Sequence, residues 1–364
     1  MVHNLRNLEA LELTPNRCNV FVGENGSGKT SLLESVFLLS RGKTFRHHQP
    51  KHYIAHEHND CTVFARLTSN DTLAISKDKK ALTTLRHNQN PVATQAPLTR
   101  MLPTLLIDPS SMAILDERAE GRRQLLDWLC FYCDREFHSQ WLTYQKLLKQ
   151  RNSLLKTLKY KTQSPAMYDE IKAWDSSLSR YAAALHAIRE TIFIAWQASF
   201  DTMVTLLLPQ YAKRLTLHYH PGYDTTMPLQ HILHERLATD IDAGYTRIGI
   251  HRADITIYLT LAHKKELATH ILSRGEKKLL ITALKLAQLP LVCKQDKTPI
   301  VLIDDIGAEL DHIATKRLID KLASLPCQLF ITSLDPDVSD YLTALAPADI
   351  SQFDITNGKL THQQ

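Results

Sequence analysis

One run near the start of the chain has the residue types and spacing to hold a triphosphate: Gly23, Glu24, Asn25, Gly26, Ser27, Gly28, Lys29, Thr30 and Ser31. It follows the pattern G-x-x-x-x-G-K-[ST], in which backbone N–H groups cradle phosphates. Gly23, Gly26 and Gly28 permit positive φ and bring backbone N–H groups close to phosphate oxygens. Lys29 has the length to reach β- and γ-phosphates, and the Thr30 hydroxyl is a Mg²⁺ ligand. The flanks agree. Cys18 to Val22 is a short apolar run that predicts a buried parallel strand. The residues from Ser31 onward have helical periodicity, which puts the β-phosphate at a helix N-terminus. A glycine-rich turn arising by accident would not bring strand, loop and helix together in this order. The loop announces a bound triphosphate, and leaves open what the nucleotide is used for.

Two more segments carry chemistry. Pro299 to Asp305 reads as a buried strand ending in two carboxylates. Asp304 is the candidate Mg²⁺ carboxylate, binding directly or through water, and Asp305, facing differently, is the candidate that polarises an attacking water. Alone this pattern ends many strands; beside Lys29 it gains weight. Leu272-Ser273-Arg274-Gly275-Glu276 opens a helix. Ser273 and Gly275 there expose N–H groups and a hydroxyl toward an anion. Ser273 with Glu276 also reads as a capping box, and the two readings are compatible. His48, His52 and His56 recur at helical spacing, without a convincing cysteine or acidic set to complete a metal site. Cys130 and Cys133 form a lone C-x-x-C with no second pair, so buried structural cysteines are expected.

These segments need elements to position them. At 364 residues the chain exceeds what one core usually supports, so two lobes are expected. A 44% hydrophobic and 22% charged composition is that of an ordinary globular protein. No apolar run is long enough to span a membrane, and the first residues lack the apolar core of an export signal. Six cysteines are too few for a disulfide framework, which fits a reducing cytoplasm. The net charge of +5 leans toward a polyanionic partner without establishing one.

Residues 61 to 86 alternate like antiparallel strands, and Leu105 to Ile107 is a further short strand. From about 112 to 210 the chain turns to long helices. Ile171, Trp174, Leu178, Tyr181, Leu185, Ile188 and Ile192 form a heptad seam. Phe137, Trp141, Tyr144, Leu148, Leu155 and Leu158 form a stripe interrupted by Arg151, with a breaker at Thr162 to Pro165. The two helices read as an antiparallel hairpin, either part of a bundle or a projecting arm. After about 240 strands return: Asp254 to Leu261, the strand ending at Asp304, Cys327 to Ser333, and a closing hairpin at Asn357-Gly358.

The order of phosphate loop, L-S-x-G-E and strand-Asp-Asp, followed by Glu309-Leu310-Asp311, resembles the ABC-type ATPases. The resemblance implies an ATP sandwich in which Lys29 of one protomer and Ser273 and Gly275 of the other, with Asp311, share each nucleotide. Most of the chain separates Lys29 from Ser273, unlike transporter subunits, and the insert is far too short for the long coiled coils of SMC proteins. The segments VGENGSGKTSLLES, RGKTFR, RRQLLDW, YQKLLKQRNSLLK, GIHRADI, LSRGEKKLL and LIDDIGAELD resemble the RecF family along almost the whole chain. That resemblance implies an α/β fold: an ABC-type ATPase head, residues 1–110 and 236–364, interrupted by a helical arm at 111–235. It also implies a cytoplasmic, nucleoid-associated protein that binds ATP and Mg²⁺, forms an ATP-dependent homodimer, and recognises single-stranded and gapped duplex DNA. RecR and RecO are the implied partners in loading a recombinase, in support of repair, replication and the SOS response. ATP hydrolysis is expected to be slow, a timer more than a motor.

This chain departs from the family pattern in four places. It reaches His3-Asn4-Leu5-Arg6-Asn7 almost at once, which suggests a shortened edge strand or a different start. Glu276 stands where many relatives carry Gln. Asp305 stands where most ABC ATPases carry Glu, and Thr332 and Ser333 where transporters carry a switch histidine. For DNA the candidates are Arg41, Lys43 and Arg46 after the first helix, and Lys149, Arg151 and Lys156 along the arm. Such residues neutralise phosphates without reading sequence, and the competing reading is a solvated helix face. The alternative function is an ABC-type regulatory ATPase acting on a protein partner; a transporter ATPase is a weaker third.

Overall fold

In the computed structural model, which describes residues 1–116, 119–160, 164–262, 264–305, 312–334 and 349–363, the run Cys18–Val22 is a central strand with every residue buried. It belongs to the first of two units, Met1–Ser111 with Val292–Gln364; the second is Met112–Leu291. The first unit contains strands β1 (Val2–Leu5), β2 (Leu8–Leu11), β3 (Cys18–Val22), β4 (Asp60–Arg66), β5 (Thr72–Asp78), β6 (Thr83–His87), β7 (Asn90–Pro91) and β8 (Thr104–Ile107). It also contains β12 (Ile300–Ile303), β13 (Gln328–Ser333), β14 (Ile350–Thr356) and β15 (Lys359–Gln363). One sheet runs β15-β14-β3-β13-β12-β8, and only its edge pair β14–β15 is antiparallel. Parallel strands with both faces covered read as continuous apolar runs, which is why CNVFV and IVLI carry no alternation. Phe21 sits between Phe330 and Phe353 on the neighbouring strands, with ring centroids 6.0 and 5.4 Å away.

The second sheet of this unit, β2-β1-β4-β5-β6-β7, has antiparallel pairings throughout. Strand β1 lies inside it, between β2 and β4, so the short entry segment is not the edge that the sequence suggested. Helix α1 (Lys29–Arg41) buries Leu32, Leu33, Leu38 and Leu39 in the core these sheets share.

The second unit is built on helices α2 (Ala119–Cys133), α3 (Phe137–Tyr160) and α4 (Pro165–Leu207), followed by α5 (Leu237–Ala243) and α6 (Arg274–Leu286). Strands β9 (Leu215–His220), β10 (Asp254–Leu261) and β11 (Lys264–Leu267) form an antiparallel sheet in the order β11-β10-β9. The expected breaker lies between α3 and α4, with residues 161–163 outside the described residues; Ser164 and Pro165 open α4. Residues 236–291, which the sequence reading grouped with the head, are compact with the helical unit because β10 pairs with β9 and α6 packs on α4. Among the described residues no helix is long and apolar enough to cross a membrane.

The seam on α4 differs from the expected one. Ile171, Leu178 and Leu185 are buried as expected, but the intervening buried positions are Asp175, Ala182 and Arg189, with Trp174, Tyr181 and Ile188 half-buried. Two charged residues therefore sit in the stripe. Burial of a charge is tolerated when it is paired and hydrogen-bonded. Asp175 accepts from Arg151 Nε of α3 at 2.5 Å. Arg189 donates to Asp127 at 2.9 Å and to the Ile250 carbonyl at 2.8 Å, and its guanidinium lies 5.0 Å from the Trp141 ring centroid.

Candidate nucleotide site

The phosphate loop is held open by neighbours on three sides. Asn7, in the β1–β2 turn, donates from Nδ2 to the Gly26 carbonyl at 3.1 Å and accepts from the Ser31 hydroxyl at 2.9 Å. Glu34 of α1, fully buried, accepts from Arg6 Nη2 at 3.1 Å and from the Arg46 backbone N–H at 3.2 Å. The β14–β15 turn closes the third side: the Gly358 N–H donates to the Ser27 carbonyl at 2.8 Å. Glycine is required at two positions here, Gly358 in the turn and Gly23 in the loop. A Cβ on Gly358, whose φ is +75°, would stand 2.0 Å from the Asn7 carbonyl oxygen. One on Gly23 would stand 2.4 Å from the Ile355 carbonyl oxygen.

Within the loop, Lys29 Nζ donates to the carbonyls of Gly23 and, at 2.9 Å, Glu24. Burial lowers the Lys29 pKa, while the nearby Asp305 and Asp304 carboxylates pull it upward. The Ser27 hydroxyl is buried without a hydrogen-bond partner among the described residues. A buried orphan costs about 1–3 kcal/mol, so an anion offering acceptors to Ser27 and Lys29 would relieve the loop. The residues fit a phosphate.

Thr30 and Asp304 come together as expected from the sequence. The Thr30 hydroxyl is 2.9 Å from Asp304 Oδ1 and 3.2 Å from Oδ2. A hydroxyl beside a carboxylate is a hard-oxygen set suited to Mg²⁺. Asp304 is 7% exposed, and the buried Thr332 hydroxyl donates to its Oδ1 at 3.0 Å. The Thr332 hydroxyl oxygen in turn accepts from the Asp305 N–H at 2.8 Å. Thr332 therefore fixes the spacing of both acids, in the place where the sequence left a sensor undefined. Asp305 has φ +58°, a left-handed turn that takes its side chain out of the strand alternation. Its neighbourhood includes Lys29, whose charge it supports.

A matching family model covers residues 1–347 and is described as the RecF/RecN/SMC N terminal domain. The DNA replication and repair protein RecF of Acinetobacter baumannii (strain SDF) is 41% identical over 334 residues, 92% of this chain and 89% of that one. The chain belongs to the RecF family. Among solved structures, that of "the recombination mediator protein RecF-ATP in RecFOR pathway" has a TM-score of 0.83 at 23% identity, covering 100% of this chain and 96% of the other. An Smc head domain with an extended coiled coil, from Pyrococcus furiosus, reaches a TM-score of 0.56 at 14% identity, over 100% of this chain and 95% of the other. The α/β ATPase-head fold is thus shared with both.

In this RecF-family chain the signature segment lies in the second unit. Ser273 is the N-cap of α6 and, like Gly275, is exposed; nothing stands within 4 Å of where a Cβ on Gly275 would be. The capping box is present: the Glu276 N–H bonds to Ser273 Oγ, and Glu276 Oε2 accepts from the Ser273 N–H at 2.9 Å. Tyr211 donates to Glu276 Oε1 at 2.8 Å. Glu276 is thus turned back onto its own cap. Asp311, with Glu309 and Leu310, lies outside the described residues.

The DNA candidates separate. Lys43, Lys149 and Lys156 are exposed, and Arg41 is half-buried at the end of α1. Arg46 is turned onto the nucleotide site, with Nη2 3.0 Å from Thr30 Oγ1 and 3.4 Å from Asp304 Oδ2. Arg151 is corrected outright. It is 0% exposed, bonded to Asp175, Asp240 and Thr246, and cannot touch a polyanion in the folded chain. A cation in an otherwise apolar stripe was the available clue, and it marked a buried pair. The histidines at 48, 52 and 56 share no helical face, because only a short 3-10 turn at Pro50–His52 forms there.

Proposed function

We propose that this chain is an ATP-controlled DNA-binding protein of recombinational repair. As an ATP-sandwiched homodimer it binds gapped DNA or single-strand/duplex junctions, and with RecR and RecO it helps load a recombinase. The reading rests on one observation above all. A single chain carries a braced phosphate loop with its acid pair and, separately, an exposed Ser273–Gly275 helix start whose cap is preset by Glu276. Those are the two complementary halves that a shared nucleotide requires, one from each protomer.

In this reading Lys29 and the loop N–H groups bind the β- and γ-phosphates, and the Ser27 hydroxyl gains an acceptor. Thr30 and Asp304 hold Mg²⁺, which when bound neutralises charge on the phosphates. Arg46 adds a second cation beside them. Asp305, whose backbone N–H is held by Thr332, orients water, and its short side chain suits a slow timer. Ser273 and Gly275 of the partner protomer close on the γ-phosphate. Lys43, Lys149 and Lys156 supply phosphate contacts to DNA in the cytoplasm. The match to relatives named for DNA replication and repair supports this use of the nucleotide.

The test is fluorescence anisotropy of a gapped duplex, with and without ATP and Mg²⁺, at low and high salt. Affinity should require ATP and fall with salt. Lys29→Ala should lose ATP binding, while Ser273→Arg should bind ATP and remain monomeric in sedimentation. ATP-independent DNA affinity, or a normal ATP-dependent dimer of Ser273→Arg, overturns the sandwich; no DNA binding by the wild type favours a protein partner instead.

A further inference from the structure

The segment Gly249–Ile255 belongs to neither the nucleotide site nor the signature, yet nearly all of its polar groups are engaged. His251 Nδ1 is 2.8 Å from the Tyr144 hydroxyl and its Nε2 is 3.3 Å from the Thr246 carbonyl. Asp254 pairs with Arg122 through two contacts of 2.9 Å. The Ile250 and Ala253 carbonyls accept from Arg189 and Arg123. Arg252 is different. Its side chain is exposed, makes no ion pair among the described residues, and carries its guanidinium 5.7 Å from the Tyr245 ring centroid. Tyr245 is itself 44% exposed.

This pair stands on a rigid base. Arg151 donates to Asp240 Oδ2 at 2.7 Å and to the Thr246 hydroxyl at 2.8 Å. Asn152 Oδ1 accepts from both the N–H and the hydroxyl of Thr246, at 2.8 and 2.7 Å. The loop after α5 is thereby clamped to α3, and Gly244 packs against the stems of Lys156 and Lys159; a Cβ on it would be 3.7 Å from each. Lys156 and Lys159 beside Gly244, Arg247 after Thr246, and Arg252 at Tyr245 are all exposed, and none is paired with a carboxylate among the described residues. The neighbouring exposed carboxylate in sequence is Asp242. With the Arg252–Tyr245 pair, the three further cations Lys156, Lys159 and Arg247 carry charge that no carboxylate pairs among the described residues.

We propose that the Arg252–Tyr245 pair, flanked by Lys156, Lys159 and Arg247, is the contact for an unpaired DNA segment. The cations neutralise successive phosphates, and the exposed Tyr245 ring and Arg252 guanidinium receive a base face. A paired duplex hides its base faces in the stack and gains only the phosphate contacts, so this surface discriminates single-stranded from paired DNA. It deepens the proposed DNA function and rests on it. It also gives the buried Arg151 a positioning role in place of a direct one.

The experiment compares full-length wild type, Arg252→Ala, Tyr245→Leu and Arg252→Lys, with ATP and Mg²⁺, on a dT oligonucleotide, a gapped duplex and a fully paired duplex. Arg252→Ala and Tyr245→Leu should each weaken oligonucleotide and gapped-duplex binding about tenfold, with little change on paired duplex. Arg252→Lys should recover only part of the loss, since it restores charge without the plane. ATP affinity and the thermal midpoint should match wild type in all three. Equal losses on paired duplex overturn the unpaired-strand assignment, and unchanged gapped-duplex affinity overturns the surface itself. Wild type that binds none of the three DNAs refutes the DNA function on which the inference rests, an outcome distinct from either.

Discussion

Replacing Arg151 with Met leaves two carboxylates, Asp175 and Asp240, buried with side-chain exposures of 3% and 2% and no cation between them. Burial already raises the Asp175 pKa, with the Arg151 hydrogen bond and charge pulling it back down. Without that cation, the cheaper course for the folded protein at neutral pH is to protonate a carboxyl. Taking up one proton at pH 7 against an ordinary value near 3.9 costs about 4 kcal/mol. That agrees with the ~3–5 kcal/mol typical of breaking a buried pair. The mutant's folded state then binds a proton that its unfolded state releases. Its stability therefore rises as pH falls, and its deficit against wild type shrinks by about 1.4 kcal/mol per pH unit per proton. Urea unfolding of wild type and Arg151→Met, at about pH 7.5 and 5.5, measures both the deficit and its slope. Lys149→Ala, on the exposed face of the same helix, should stay within about 0.5 kcal/mol of wild type. A mutant as stable as wild type, or a deficit that grows on acidification, would refute the buried-pair reasoning.

Thr332→Val keeps the shape but removes both the donor to Asp304 and the acceptor for the Asp305 N–H; it should bind ATP yet hydrolyse it more slowly, with Thr332→Ser restoring the rate in a phosphate-release assay. Gly358→Ala should destabilise by about 2–4 kcal/mol, from positive φ plus overpacking, and weaken nucleotide binding through the Asn7 brace; thermal unfolding and nucleotide titration check the two effects. His251, held by burial at about 4, stays neutral in the fold while the unfolded chain protonates near 6.5, so its contribution is lost as pH falls from 6.5 to 4, up to about 3 kcal/mol. His251→Asn should flatten that part of the stability–pH curve.

Much of the candidate nucleotide site was legible because its chemistry is local. Gly23 to Ser31 is one continuous segment, and its glycines, lysine and threonine are proposed to serve by type and order alone. The apolar runs CNVFV and IVLI declare parallel strands because both faces are covered, and Asn357-Gly358 declares its turn because few residues tolerate that backbone. Ser273 with Glu276 is likewise a short-range device, and the structure contains it.

What the sequence could not decide are pairings across long separations. Arg151 interrupts an apolar stripe, and sequence alone offers water or DNA as its partner; only the fold brings Asp175 and Asp240 to it from two other helices. Arg189 was invisible for the same reason, since a charge in a heptad looks like a surface position until Asp127 and Trp141 are beside it. Arg46 was read with its basic neighbours, while the tertiary structure turns it onto Thr30 and Asp304. Thr332 is an unremarkable strand residue until parallel pairing sets β13 beside β12 and its hydroxyl meets both acids. Residue type and local order determined which groups can bind phosphate; burial and long-range register decided which charges are spent inside the fold and which remain outside for a partner.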